Sequence, residues 1–294
     1  MIAGVTVAVQ SRINGELGAR MHDGLGAAVV SFVIGLILLL VLTAAVPSGR
    51  RGLVRLRAAL GDRSLRGWQC LGGVCGAFLV TTQGFTVAVL GVAVFTVAVV
   101  AGQTGSSLVV DRMGAGPGGP RPLTTPRVVG AVLAVLAVVL AVYDRLGAPR
   151  ALLLAGLPLL AGIGSAWQQA VNGRVRAASS TVTASLVNFV VGTAALLLVF
   201  AVDTAVRGIP TLPGEPWLYL GGPIGVAFIA ISASVVRYTG VLLLGLATVA
   251  GQLVGAVLLD VFAPTGSVHV SGTTLGGIAL TLVAVGIAAL PTRR

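Results

Sequence analysis

Six of the chain's ten side-chain amides belong to motifs that recur within or beside long apolar runs, where an amide is costly: Gln103 and Gln252, the pair Gln10 and Asn14, and the pair Gln168 and Asn172. An amide brings donors and acceptors that hydrocarbon cannot satisfy, so each needs a neighbouring helix or a polar substrate as partner. Gln103 lies eight residues before Asp111 and Gln252 eight before Asp260, about 12 Å of helix in each case. The paired amides are four residues apart and share a helical face. This pattern permits hydrogen-bonded recognition of a small polar molecule, with Gln103 and Gln252 at a central cavity. On that reading Gln10/Asn14 and Gln168/Asn172 form polar gates near the outer and inner mouths. The competing account is structural: the glutamines tie helices together while Gly251-x-x-x-Gly255 lets them approach, and the Gln/Asn pairs cap helix ends. Asp111, Asp260 and Arg237 are candidates for coupling to protons or for holding an anionic group. Carboxylates at span ends also simply solvate the helix terminus, and an arginine there snorkels.

Bond-making chemistry has little to work with. All nineteen basic residues are arginine, so no lysine can form a Schiff base with retinal or pyridoxal phosphate. The two histidines, His22 and His269, stand in different parts of the chain without spaced partners, and Cys70 and Cys75 point away from each other on a helix. No catalytic residue, metal site or cofactor is expected, and an enzyme is disfavoured. No carboxylate lies mid-span either, which weakens a scheme in which one central acid alternates between a proton and an organic cation.

The elements that position these residues are membrane helices. The 294 residues are 56% hydrophobic and 9% charged, with a mean hydropathy of +1.03, far outside soluble composition. Apolar runs of about twenty residues without alternation suit helices rather than barrel strands. The net charge of +11 sits in connections, where it reads as topology information and not as a nucleic-acid surface.

The chain repeats itself. Ala101-Gly102-Gln103 to Asp111 recurs as Ala250-Gly251-Gln252 to Asp260, and Trp68-x-x-Leu71-Gly72-Gly73-x-x-Gly76 recurs as Trp217-x-x-Leu220-Gly221-Gly222-x-x-Gly225, both with an offset of 149 residues. Upstream, Gln10-x-x-x-Asn14-Gly15 answers Gln168-x-x-x-Asn172-Gly173, and Phe32-x-x-Gly35 answers Phe189-x-x-Gly192. The reading is an all-α polytopic membrane protein of ten transmembrane helices arranged as two five-helix repeats, 1–146 and 147–294. The spans fall near 1–11, 24–45, 68–89, 92–110, 127–143, 151–171, 182–202, 217–236, 241–259 and 272–290. Helix 1 is expected to be short at its N-terminus. Helices 3 and 4 are so closely joined that they must form a tight antiparallel hairpin. Leu53, Leu56 and Leu60 interleave with six arginines after Pro47, which suggests an amphipathic surface helix.

Fourteen arginines fall on the side carrying both termini and five on the other, so the positive-inside rule places both termini in the cytoplasm. An odd number of helices per half makes the second repeat insert inverted, a common transporter plan with its site near the midplane.

At these motifs the chain resembles the YdcZ family of the drug/metabolite transporter (DMT) superfamily, in its fused ten-helix form. The resemblance rests on Gln-x-x-x-Asn-Gly, on Ser31-Phe32 and Asn188-Phe189, and on Ala-Gly-Gln followed by a terminal aspartate, and it covers both halves. The chain departs from the pattern in its short helix 1 and at 261–264. The resemblance implies small-molecule transport around a site lined by helices 1, 3, 4, 6, 8 and 9, and the leading reading is a transporter of the bacterial plasma (inner) membrane, with both termini cytoplasmic, that works by alternating access. The expected partners are a small polar metabolite or amine and the lipid bilayer, with no nucleic acid; a homodimer is compatible. The alternative is a non-transporting scaffold or assembly partner.

Overall fold

The computed structural model describes residues 1–141, 149–262, 272–288 and 290, and every regular element among them is helical. In order they are α1 (Ile2–Met21), α2 (Gly24–Ala45), α3 (Pro47–Gly61), α4 (Gly72–Arg112), α5 (Thr125–Ala141), α6 (Pro149–Ala178), α7 (Thr181–Arg207), α8 (Gly221–Phe262) and α9 (Gly272–Ala288). Single 3-10 turns at Gly67–Cys70 and Pro216–Leu220 lead into α4 and α8. Among the described residues, five segments are long and apolar enough to cross a bilayer: Gly24–Ala45, Gly67–Val92, Val94–Arg112, Thr181–Val206 and Pro216–Val241. The boundary between 146 and 147, and His269, lie outside the described residues.

The two longest elements are not rods. Each reverses at one glycine held at positive φ, Gly91 (φ 79°) in α4 and Gly240 (φ 77°) in α8, a conformation that a side chain with a Cβ resists. The neighbours of α4 show the reversal. Leu90 and Val94 at its tip pack on Leu154 and Ala155 of α6, while Gly72 at one foot faces Asn172 and Val110 near the other lies with Ala166 and Ala170. The expected hairpin of helices 3 and 4 is therefore present, and α8 forms a second one. Gly91 and Gly240 are themselves separated by 149 residues, the offset of the sequence repeat.

The halves are inverted. The C-terminal end of α1 meets the upper arm of the first hairpin, Gly18 against Gly84 and Gly15 against Val87, and also the feet of the second, Asn14 against Gly221 and Arg12 against Leu259. The C-terminal end of α6 meets the feet of the first hairpin and the tip of the second, where Gly173 lies on Val236. Matching ends thus point in opposite directions.

Glycines set the closest approaches across the pseudo-two-fold. Gly102 lies on the Leu159 carbonyl and Gly251 on the Met1 carbonyl; Gly162 lies on the Val99 carbonyl and Gly4 on that of Thr248. Each half hands its first helix to the other half's hairpin, and α5 and α9 pack together where Gly130 lies on Ala284 and Ala288. At the axis Phe32 and Phe189 pack with ring centroids 4.9 Å apart and their planes tilted by 34°.

Two boundaries differ from the sequence reading. Helix 1 does not stop at residue 11 but runs 20 residues through Arg12 and Asn14, and helix 6 runs 30 residues through Arg174 and Arg176. The arginines do not end these helices because they find acceptors on neighbours. Arg12 donates to the Leu259 carbonyl at 3.3 Å, and Arg174 to the Gly114 and Ala115 carbonyls at 2.5 Å. Met1 occupies the place that Leu159 takes in α6, since Gly251 lies on the one carbonyl and Gly102 on the other. The surface helix after Pro47 is α3. It buries Gly49, Gly52, Leu56 and Ala59 and leaves Leu53, Val54 and Leu60 exposed beside its arginines.

Candidate functional site

A small cavity lies on the pseudo-two-fold, and both halves build it from equivalent parts. α1 supplies Gln10 and α6 supplies Gln168; α2 supplies Ser31 and Phe32, and α7 supplies Asn188 and Phe189. The first arms of the hairpins add Gly76, Leu79 and Val80 from α4 and Gly225, Phe228 and Ile229 from α8, pairs again offset by 149. Each glutamine amide lies against a bare glycine. An added Cβ would stand 2.5 Å from the Gln10 Nε2 at Gly225, and would meet the Gln168 Nε2 in the same way at Gly76. These two glycines create the polar floor by yielding their side-chain volume to an amide from the opposite half.

The hydrogen bonds show which polar atoms are already committed. Gln10 Nε2 donates to the Gly221 carbonyl at 3.0 Å, and Gln168 Nε2 donates to Asn188 Oδ1 at 2.9 Å. Asn172 Nδ2 donates to the same Asn188 oxygen at 2.9 Å. In the other half Ser31 Oγ donates to Asn14 Oδ1 at 2.6 Å, Asn14 Nδ2 to Gln83 Oε1 at 2.7 Å, and Gln83 Nε2 to Ser11 Oγ at 3.0 Å. The Asn188 Nδ2, on a residue 1% exposed, has no partner among the described residues. A buried amide nitrogen left unpaired costs about 1–3 kcal/mol, so this donor is available to a ligand or a water.

No ionisable side chain lines the cavity, and its apolar wall is the Phe32/Phe189 pair with Leu79, Val80, Phe228 and Ile229. Its volume of about 20 Å³ is room for roughly one water molecule.

The sequence-selected residues separate into three groups. Gln10 and Gln168 come together on this one cavity, with Asn14 and Asn172 one turn behind as hydrogen-bonding supports. They do not stand at opposite mouths, because α1 continues a further eleven residues beyond Gln10. Gln103 and Gln252 lie elsewhere, on the second arms of the hairpins, where their backbones pack against Gly162 and Gly4. Both are nearly inaccessible, and Gln103 Nε2 and Gln252 Oε1 have no partner among the described residues. The lining therefore comes from helices 1, 2, 3, 6, 7 and 8; helices 2 and 7 stand where the resemblance implied 4 and 9.

The third group is ionisable. Asp111, 4% exposed, holds Arg127 in an ion pair of 2.8 Å and accepts a hydrogen bond from the Val241 N–H at 3.2 Å. Arg121 donates to the Thr239 carbonyl at 3.0 Å, and its own N–H donates to the Asp111 carbonyl at 2.9 Å. Asp111 thus grips the reversal at Gly240 from the foot of the other hairpin, far from the cavity. The Asp260 side chain is outside the described residues. Arg237 is exposed over the Tyr238 ring, 4.2 Å from its centroid.

Sequence reasoning did not select Ser31, Phe32, Asn188 and Phe189 as site residues, although they stood in its repeat motifs. The signal was available in their equivalence under the repeat: residues on helices that meet at a pseudo-two-fold must face each other.

A family model described as "Putative inner membrane exporter, YdcZ" matches residues 1–140 and 153–289. No curated protein matches the chain. A solved structure described only as "Crystal structure of protein" superposes with a TM-score of 0.60 at 19% identity, over 98% of this chain and 93% of that one. At that identity the likeness speaks for the fold alone.

Proposed function

We propose that this chain, which belongs to the YdcZ family of inner-membrane exporters, moves a small polar metabolite or amine by alternating access through the cavity between its halves. The family supports a transporter in general; the substrate class and the mechanism are our reading. One observation carries it: the equivalent amides of the two halves, Gln10 and Gln168, line a single cavity. An inverted repeat lets one half open as the other closes around a fixed midplane site. Amide and hydroxyl groups without a formal charge suit a neutral or zwitterionic polar solute, or an amine that donates to the amide oxygens, with the Phe32/Phe189 pair against its apolar part. Asn14 and Asn172 orient the groups that touch substrate. Asp111 and Arg237 act outside the cavity.

A thermal-shift screen of the detergent-purified protein against polar metabolites and amines tests the reading, repeated on Gln10→Ala and Gln168→Ala. A ligand at about 100 times its Kd stabilises the folded state by roughly 2.7 kcal/mol. The expected result is a compound class that protects the wild type and fails to protect either variant while both remain monodisperse and helical. Equal protection of wild type and both variants would sink the proposal for this cavity.

A further inference from the structure

A second and larger cavity, of about 390 Å³, opens where α3, the connection from α6 to α7 and the tip of α8 meet. Arg55, Arg176 and Arg237 line it with the hydroxyls of Ser48, Ser180 and Thr181, and no carboxylate is among its lining residues. Three elements distant in sequence thus converge their cations on one space.

Little in the protein neutralises these charges. Arg55 makes no ion pair among the described residues, and Arg176 spends only its Nε, on Thr181 Oγ1 at 3.2 Å. Arg237 bonds the Tyr238 hydroxyl, which carries no charge to oppose it. Burial, and then the positive field of Arg237, pull the Arg176 pKa below its ordinary value. α7 begins at Thr181 with Ser180 as its N-cap, so the partial positive charge of a helix start adds to the same space. Guanidinium groups fan their donors in the plane that phosphate oxygens match, and the volume falls in the range of small-molecule sites.

We propose that this cavity binds a phosphate group, carried either by an anionic phospholipid headgroup or by a soluble molecule. The arginine count assigns this end of the bundle to the cytoplasmic side. α3 exposes Leu53, Val54 and Leu60 beside Arg55, so a headgroup in the cavity would have apolar surface next to it for its acyl chains. The site is distinct from the axial cavity, and it ties α3 to the tip of the second hairpin.

The test uses the full chain in two arms. In detergent, inorganic phosphate is titrated at constant ionic strength. In nanodiscs of mixed phosphatidylglycerol and phosphatidylcholine, the lipids retained after extraction are counted by native mass spectrometry. The variants are Arg55→Gln, the triple R55Q/R176Q/R237Q, and Arg57→Gln as an α3 control that does not line the cavity. The expected result is at least a tenfold loss of phosphate binding, of phosphatidylglycerol retention, or of both, in the triple variant, a smaller loss in Arg55→Gln, and none in Arg57→Gln. Phosphate binding without lipid preference assigns a soluble source, and lipid preference without phosphate binding assigns a headgroup. Wild type showing neither, or Arg55→Gln and the triple variant matching wild type in both arms, overturns the proposal. Arg55 is exposed and unbonded, so its variant reports on charge even where the triple variant folds poorly.

Discussion

An alanine at Gly73 would separate the two hairpins' shared axis from the helices that cross it. Its Cβ would fall inside van der Waals contact of the Asn188 carbonyl oxygen and 2.7 Å from the Gly192 nitrogen, both backbone atoms of α7. Non-bonded heavy atoms settle at about 3.5–4.0 Å, so α4 and α7 would have to part by roughly 1.5 Å. Overpacking of this kind costs about 1–3 kcal/mol, and rigid backbone on the far side puts the cost at the upper end. Removing a helical glycine returns roughly 0.5–1 kcal/mol, which leaves a net loss of about 2 kcal/mol. Gly105 lies in the same hairpin with nothing within 4 Å of an added Cβ, so the same exchange there gains up to about 1 kcal/mol. Gly222→Ala should repeat the Gly73 result, since its Cβ would meet the Ser31 carbonyl and stand 2.8 Å from the Gly35 nitrogen. Reversible unfolding in mixed micelles, followed by far-UV circular dichroism, measures all three. If Gly73→Ala proves as stable as Gly105→Ala, or if Gly222→Ala differs from it in sign, the close crossing at the axis is wrong.

Three further outcomes are expected. Gly76→Ala and Gly225→Ala press on the far end of a glutamine amide and otherwise only touch a phenylalanine ring at ordinary contact distance, so both should fold, but the added methyl fills a cavity of about 20 Å³. A tenfold weaker ligand would reduce its protection at a fixed concentration from about 2.7 to about 1.4 kcal/mol in the thermal-shift assay. Asp111→Asn leaves the Arg127 guanidinium without its carboxylate in a largely buried setting, a loss of roughly 3 kcal/mol, and a double-mutant cycle with Arg127→Gln should recover part of it. Gly240→Ala must hold a Cβ at φ 77° and ψ 174° and also displace Arg121, so it should cost more than the roughly 1–3 kcal/mol of the backbone term alone, read by the same unfolding assay.

Much of the architecture was legible because duplication writes itself twice. The offset of 149 that links Gln103 with Gln252 also links Gly91 with Gly240 and Gly76 with Gly225, and the hairpins and cavity follow that register. Arg12 and Arg174 misled because charge alone does not end a membrane helix when a neighbouring backbone carbonyl accepts the guanidinium. The depth of Gln10 was obscured in the same way, by a helix end set at Arg12. Gln103 and Gln252 drew attention as isolated amides, yet isolation in sequence says nothing about which face of a helix meets the axis. Ser31 and Asn188 differ in chemistry at equivalent positions, so a search for identical pairs passed over them.

The grip of Asp111 on Val241, joined by Arg121 on Thr239, has a mechanical consequence. The tip of the second hairpin cannot swing free of the foot of the first without losing two hydrogen bonds that span the reversal. Tip and foot are therefore expected to move together, and on the proposed alternating access the widening at that end falls to the elements across from it, α3 and the start of α7. On the proposed alternating access, a cross-link between residues 111 and 241 is expected to leave transport intact, whereas one between 55 and 237, across the cavity that separates α3 from the tip, is expected to arrest it.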